Sequence, residues 1–177
     1  MQQCIKKITD KIIETAKNEN DQLMEIVNNN SNLGIFHMPE LAFAYKCGKH
    51  IMQNKNNIFG DNIPQWCREV DLGNGGPSDL VFIFDNGYKI VIEFKMRDKV
   101  DAYIFDLEKL SKLENEKTIK LFCVITDTMK KDLPFDGRIK KINNFKTVYE
   151  LDFQSFKTKQ TWYESDVYAS IGIWEII

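Results

Sequence analysis

The alternation of apolar and polar residues is clearest over residues 77–97, where two apolar runs flank the segment DNG at 85–87. An Asn-Gly pair between such runs predicts a β-hairpin, because glycine adopts positive φ without steric cost. A two-residue loop would place Asp79 opposite Phe94, whereas a three-residue loop places Asp79 opposite Glu93. We predict the three-residue loop, a type I turn followed by a bulge with its glycine in the left-handed conformation.

Three charged side chains interrupt the apolar pattern of this hairpin. Asp79 opens the first strand, while Glu93 and Lys95 lie two residues apart near the end of the second and therefore share a face. Two carboxylates and a lysine in such an apolar strand pair cost free energy unless partners satisfy them. A hard divalent cation such as Mg²⁺ takes oxygen ligands and would satisfy the carboxylates. We therefore expect Asp79, Glu93 and Lys95 to converge on a metal site.

Helical and strand patterns alternate along the rest of the chain. The predicted helices cover residues 3–29 (as one long helix or two short ones), 37–53 and 101–116. The predicted strands are 65–72, the two strands of the hairpin, 121–125, 146–153 and 169–177, and residues 54–64 are predicted to form a loop. A helix leading from the hairpin into the strand at 121–125 indicates a β-α-β crossover with parallel pairing.

Glu40, in the predicted helix 37–53, has two interpretations. An acid beside Pro39 suits the first helical turn, where the helix dipole stabilises negative charge. Small or apolar residues follow it at helical spacing, at Ala44, Cys47 and Ile51, so Glu40 also lies on the buried side of the helix. We favour the second interpretation, in which Glu40 lies on the buried side of the helix.

Two further groups of residues are interpreted as structural, one as a solvent-exposed helix face and the other as the cover of a sheet face. In the helix 101–116, we expect Lys109 and Lys112 to lie on the outward face, exposed to solvent beside acidic residues. The C-terminal segment mixes aromatic and basic residues, a composition that either stacks nucleic-acid bases or covers a sheet face, and we favour the cover. Its members are Phe153, Phe156, Lys157, Lys159, Trp162, Tyr163 and Tyr168.

Composition limits the function classes. A chain of 177 residues predicts one domain with its own core. No apolar run approaches the ~20 residues that span a bilayer, and the N-terminus lacks an apolar signal core, so the expected location is the cytoplasm. The four cysteines are isolated in sequence, which excludes a zinc-type pair. The net charge of −2 is unlike that of an autonomous nucleic-acid clamp.

The segment Pro77-Ser78-Asp79, followed by Glu93-Phe94-Lys95 at the end of the next strand, resembles the signature of the PD-(D/E)xK nuclease superfamily. The resemblance covers about residues 40–127 and implies an α/β protein with a restriction-endonuclease-like core, a central mixed sheet of four or more strands flanked by helices. In this interpretation the whole chain, 1–177, is one such domain. Its core is about 37–127, with N-terminal helical residues 3–29 and a β-rich addition at 145–177.

The same resemblance implies a Mg²⁺-dependent phosphodiesterase, with Mn²⁺ as a substitute metal. The implied metal ligands are Asp79, Glu93, the backbone carbonyl of Phe94, and Glu40. Asp79, Glu93, Lys95 and Glu40 are the implied catalytic residues, with Lys95 orienting or activating water and offsetting phosphate charge. The expected substrate is nucleic acid, with DNA favoured, and the expected class is an endonuclease of restriction or defence type.

Two alternatives stay open at the level of sequence. A nuclease-fold module that binds nucleic acid or assembles without cutting would retain the same elements. A subunit that cuts only inside a larger complex is also compatible with the pattern. Cleavage of both strands of a duplex would favour a symmetric homodimer.

Overall fold

A computed structural model describes residues 1–26, 34–114, 116–133, 136–160 and 167–177. The α-helices are α1 (Gln2–Ile26), α2 (Glu40–Gln53), α3 (Lys55–Phe59), α4 (Val100–Ser111) and α5 (Gly137–Asn143). The strands are β1 (Gln65–Asp71), β2 (Pro77–Ile83), β3 (Lys89–Met96), β4 (Thr118–Met129), β5 (Val148–Thr158) and β6 (Val167–Ile176). Short 3₁₀ turns occur at Ile35–His37 and Lys130–Asp132.

The six strands form one mixed sheet in the order β1-β2-β3-β4-β6-β5. The central pair β3–β4 is parallel, as the predicted β-α-β crossover through α4 requires, and the other neighbouring strands are antiparallel. The prediction of an α/β protein with a mixed sheet of four or more strands is therefore confirmed. The carboxyl ends of β3 and β4 lie side by side at one edge of the sheet.

The hairpin β2–β3 has the predicted three-residue loop. Phe84 and Tyr88 close it through a 2.9 Å hydrogen bond from the Phe84 N–H to the Tyr88 carbonyl, and Gly87 has a φ of 83°. The register pairs Leu80 with Ile92, which places the preceding residue of β2, Asp79, beside Glu93. A left-handed residue in the loop and alternation along the strands thus bring the two acids to the same face.

Helices cover both faces of the sheet. Ile90, Ile92 and Phe94 of β3 face the core shared with α1 and α2, whereas Val91 faces the core shared with α4 and α5. Each core buries aliphatic and aromatic side chains almost completely, so burial of apolar surface holds both helix layers against the sheet. By the alternation of β3, Glu93 and Lys95 lie on the α4 side.

Several element boundaries differ from the sequence-based prediction. Residues 55–59, expected within a loop, form the short helix α3. Helix α4 ends at Ser111 rather than near 116, because β4 begins at Thr118 to pair with Lys89 and the chain must turn between them. Strand β4 is longer than predicted, extending from Thr118 to Met129.

The C-terminal strands β5 and β6 extend the central sheet beyond β4. Phe153 packs against the core on the α4 side and Phe156 against the core on the α1 side, as expected for residues that cover the sheet. Trp162 and Tyr163 lie outside the described residues. In the described part of the chain, every helix is too short or too polar to cross a membrane.

Candidate active site

Three of the predicted site residues come together where β2 begins and β3 ends. Asp79, Glu93 and Lys95 all lie on the face covered by α4, and the charge of Asp79 acts directly on Glu93. Glu93 is only 2% exposed. The predicted convergence of the three side chains is therefore present in the structure.

The backbone edge of β3 holds two of the acids in place. Beyond Leu80, β2 no longer pairs with β3, and the Asp79 carboxylate accepts the Phe94 N–H at 2.8 Å instead. Glu40, at the start of α2, accepts the Met96 N–H at 2.7 Å. Two carboxylates thus occupy successive N–H groups of the strand edge, which would otherwise be unpaired. Glu40, expected from its spacing on the buried side of α2, therefore points toward the hairpin, as the resemblance implies.

Lys95 lies between two carboxylates. Its Nζ is 3.0 Å from Asp106 Oδ2 and 3.4 Å from Glu40 Oε1. Burial alone would lower the pKa of Lys95, but the charges of Asp106 and Glu40 outweigh it and raise the pKa above its ordinary value. The ammonium is consequently protonated at neutral pH, and Lys95 acts as a fixed positive charge rather than as a base.

Lys109 of α4 is the main site residue that sequence reasoning placed wrongly. It was expected on the outward face of the helix, yet it is 7% exposed and its Nζ lies 2.8 Å from Glu93 Oε1. The same Nζ donates to the Pro77 carbonyl at 2.9 Å. Burial of Tyr103, Leu107 and Leu110 sets the rotation of α4, and this rotation carries Lys109 inward.

The glycine-rich connection between β1 and β2 anchors α4 over the site. The Asn74 amide donates to the Lys109 carbonyl at 3.0 Å, and Asn74 is 4% exposed. Gly73, Gly75 and Gly76 on either side have positive φ, a conformation that other residues adopt only with strain. These glycines therefore allow the chain to form a tight loop that packs on the helix, and we do not interpret them as a phosphate-binding loop.

Burial and mutual repulsion raise the pKa values of the acids in this group. Burial raises the pKa of Glu93 to about 7, with a further contribution from the charge of Asp79 and opposition from Lys109. Burial likewise raises the pKa of Asp79, although the Phe94 N–H opposes it. Burial also raises the pKa of Glu40 against the Met96 N–H. Burial is thus the main cause of the raised pKa values, and the charges of neighbouring acids add to it.

A divalent cation would compensate the excess of negative charge in this group of side chains. Four carboxylates (Glu40, Asp79, Glu93 and Asp106) face two ammonium groups (Lys95 and Lys109), which leaves an excess of two negative charges when all are ionised. Glu93 Oε1 is buried and has no well-directed hydrogen bond among the described residues. Carboxylate oxygens are the ligands that Mg²⁺ prefers, and one or two of them suffice beside waters.

The number of acidic ligands available in this conformation is small. Among the described residues, no group of three or more His, Cys, Asp or Glu side chains is arranged to hold a metal ion. Asp79 and Glu93, adjacent in the hairpin register, are the two carboxylates that would share a cation, and each also has a partner within the protein, as Glu40 does. The roles of Glu40 and of the Phe94 carbonyl as ligands stay predictions.

The ring and the backbone of Phe94 serve opposite sides of β3. Its ring is buried on the opposite side from the acids, edge-on to Phe43 with ring centroids 5.6 Å apart. Its backbone N–H binds Asp79, so Phe94 fixes the acid through the main chain while anchoring the strand through the ring.

Comparison with known proteins identified no match to a protein-family model, a curated protein or a solved structure. The site is therefore interpreted from its own geometry. Sequence reasoning missed Asp106 and Lys109, and the signal that could have found them was their position. Both lie within one turn of Leu107 and Leu110, on the edge of the stripe that faces the sheet.

Proposed function

We propose that this chain is a metal-dependent nuclease with a restriction-endonuclease-like core, which hydrolyses phosphodiester bonds in DNA. The observation that carries the proposal is the hairpin register, because it places Asp79 beside Glu93 with Lys95 on the same face. A buried carboxylate (Glu93), a half-buried one (Asp79) and a protonated lysine on one face of the hairpin are a costly arrangement for stability alone. They match the needs of phosphoryl chemistry, which are a cation site and a positive charge near the phosphate.

The order of elements supports the proposed core. A helix (α2) precedes three antiparallel strands (β1 to β3), and α4 then leads to the parallel strand β4. The resemblance to the PD-(D/E)xK superfamily implies the same order, which is a helix, three antiparallel strands, a helix and a strand. The acids gather at the carboxyl end of β3, where β2 has already diverged and the Asp79 and Glu40 carboxylates take the strand N–H groups that it leaves.

Each side chain has a distinct part in the proposed mechanism. Asp79 and Glu93 would hold Mg²⁺, which would supply charge stabilisation for the phosphoryl group and position a water. Lys95, kept protonated by Asp106 and Glu40, offsets negative charge on the phosphate. Glu40 holds the end of β3 through Met96 and keeps Lys95 directed toward the site.

One observation favours a second candidate, a nuclease-fold module that binds nucleic acid or a partner without cutting. Every acid of the site already has a partner within the protein, since Asp79 and Glu40 accept backbone N–H groups and Glu93 pairs with Lys109. In a module that does not cut, these contacts would be purely structural. Cleavage assays separate the two candidates.

The test is cleavage of supercoiled plasmid with Mg²⁺ or Mn²⁺, and of single- and double-stranded oligonucleotides of DNA and RNA. Asp79→Asn removes the negative charge but keeps an oxygen that can accept the Phe94 N–H. Glu93→Gln likewise removes the negative charge of the second acid while keeping its size. Loss of second-sphere partners of a metal costs about 10- to 100-fold, so each ligand change should reduce cleavage by at least about 100-fold.

The matched control is Asp85→Asn, the same chemical change in the exposed hairpin loop. It should cleave like the wild type. A wild-type protein that leaves every substrate intact with both metals would favour the module that binds without cutting. Cleavage that survives both Asp79→Asn and Glu93→Gln would place the activity elsewhere.

A further inference from the structure

The Lys109 ammonium lies between two oxygen atoms of the site. Its ammonium contacts a carboxylate oxygen of Glu93 at 2.8 Å and the main-chain carbonyl oxygen of Pro77 at 2.9 Å. Both charged residues are almost fully buried, at 7% and 2% exposure. A carboxylate and a backbone carbonyl are the kinds of oxygen that coordinate hard divalent ions.

The contact between Lys109 and Glu93 is a close, buried ion pair, with 2.8 Å between the Lys109 Nζ and Glu93 Oε1. A divalent cation at the same oxygen would compete with the ammonium, because the negative charge of the carboxylate attracts both.

The helix that carries Lys109 is fixed from two sides. Asn74 binds the Lys109 carbonyl at 3.0 Å, and Leu107 and Leu110 are fully buried in the core beneath α4. The side chain therefore enters the site from a rigid backbone position. Replacing Lys109 changes the charge at Glu93 without removing these anchors.

We propose that the Lys109 ammonium is a built-in competitor for the divalent cation, pairing with Glu93 in the metal-free protein and giving up this carboxylate when the metal binds. The inference rests on the proposed function, since it names the residue that sets the metal affinity of the same site. Lys109 is a positioning residue in this scheme, because it acts on Glu93 and not on the substrate. Its pairing stabilises the acid when no metal is present and weakens metal binding.

The test is titration of the metal-free protein with Mn²⁺ alone. Calorimetry measures the heat of binding, and electron paramagnetic resonance measures the free ion. Lys109→Met keeps the aliphatic stem and removes the charge. A unit charge within a few ångströms of the metal repels it strongly even at an effective dielectric of about 20, so Lys109→Met should bind Mn²⁺ at least about tenfold more tightly than wild type. Lys112→Met, at an exposed lysine one residue past the end of α4, is the control and should bind like wild type.

The outcomes separate this inference from the proposed function. Equal or weaker Mn²⁺ binding by Lys109→Met overturns the role of Lys109, whatever the plasmid assay shows. Binding by Lys109→Met together with none by wild type supports the role of Lys109 and counts against a metal-dependent wild-type enzyme. Absence of Mn²⁺ binding in both proteins overturns this inference, and the substitutions at Asp79 and Glu93 then decide the proposed function separately.

A second measurement needs no substitution and applies if Lys109→Met and Lys109→Gln both fail to fold. Acylation of lysine amines in the wild-type protein is followed by mass spectrometry with and without Mn²⁺. Release from Glu93 should increase the modification of Lys109 several-fold, while exposed Lys112 serves as the internal reference. Unchanged modification of Lys109 at saturating Mn²⁺ would contradict the exchange.

Discussion

Lys95 Nζ lies 3.0 Å from Asp106 Oδ2, so a carboxylate of α4 stabilises the protonated form of a lysine on β3. The side chains involved are mostly buried, with 18% of the Lys95 side chain and 11% of the Asp106 side chain exposed. Asp106 thereby raises the pKa of Lys95 despite the opposing effect of burial. The pair joins the helix to the strand at the centre of the candidate site.

We expect Asp106→Asn to destabilise the protein by about 1–3 kcal/mol, because the buried Lys95 ammonium loses its closest counter-charge. The measurement is urea denaturation in EDTA. Asp101→Asn, in the exposed first turn of the same helix, makes the same change without touching Lys95 and should alter the free energy of unfolding by less than about 0.5 kcal/mol. Equal effects of the two substitutions would mean that the Lys95–Asp106 pair contributes nothing specific.

Glu93 gives the metal-free protein a defined pH dependence. Its pKa rises from the ordinary 4.5 to about 7 on folding, so the folded state binds more protons than the unfolded state between these values. The contribution to stability is therefore fully present below pH ~4.5 and is lost as pH rises through about 7, with a limit of about 3 kcal/mol at 1.36 kcal/mol per pKa unit.

Glu93→Gln removes this titration, so its melting temperature relative to wild type should rise steadily from pH 5 to pH 8 in EDTA. The measurement is thermal unfolding across that range, with Asp85→Asn as the control whose difference from wild type should stay level. A cation bound to the carboxylate lowers its pKa. Excess Mg²⁺ should therefore flatten the wild-type profile over the same range. A pH-independent difference in EDTA would show that Glu93 titrates normally.

The loop glycine of the hairpin should matter through its backbone alone. Gly87 has a φ of 83°, and a Cβ added there would meet nothing within 4 Å. Gly87→Ala should therefore cost about 1 kcal/mol, the strain of a left-handed alanine, measured by urea denaturation. Gly137→Ala is the matched control, since its added Cβ also meets open space but it begins α5 without positive φ. That substitution should leave stability unchanged or raise it by up to about 1 kcal/mol. Similar losses at both glycines would contradict the backbone explanation.

The sequence predicted the arrangement of residues that are close along the chain. The loop at 85–87 set the register of β2 and β3, because a turn of known length leaves one pairing for the strands that it joins. Helical spacing from Ala44 and Cys47 also placed Glu40 on the buried side of α2, where its carboxylate accepts the Met96 N–H. Parallel pairing of β3 with β4 followed from the helix between them.

The tertiary structure decided which distant side chains complete the site and how the chain closes the sheet. Lys109 and Asp106 lie at the edge of an apolar stripe, where a small rotation of α4 separates an exposed charge from a buried ion pair, and packing of Tyr103 and Leu110 fixes that rotation. The insertion of β6 between β4 and β5 likewise depends on long-range pairing that no local pattern specifies. The sequence by itself determined that Asp79, Glu93 and Lys95 lie on one face of the hairpin, since the hairpin loop and the alternation of each strand are local features. Their protonation and their partners depended on the folded protein, since burial and charge act through space rather than along the chain.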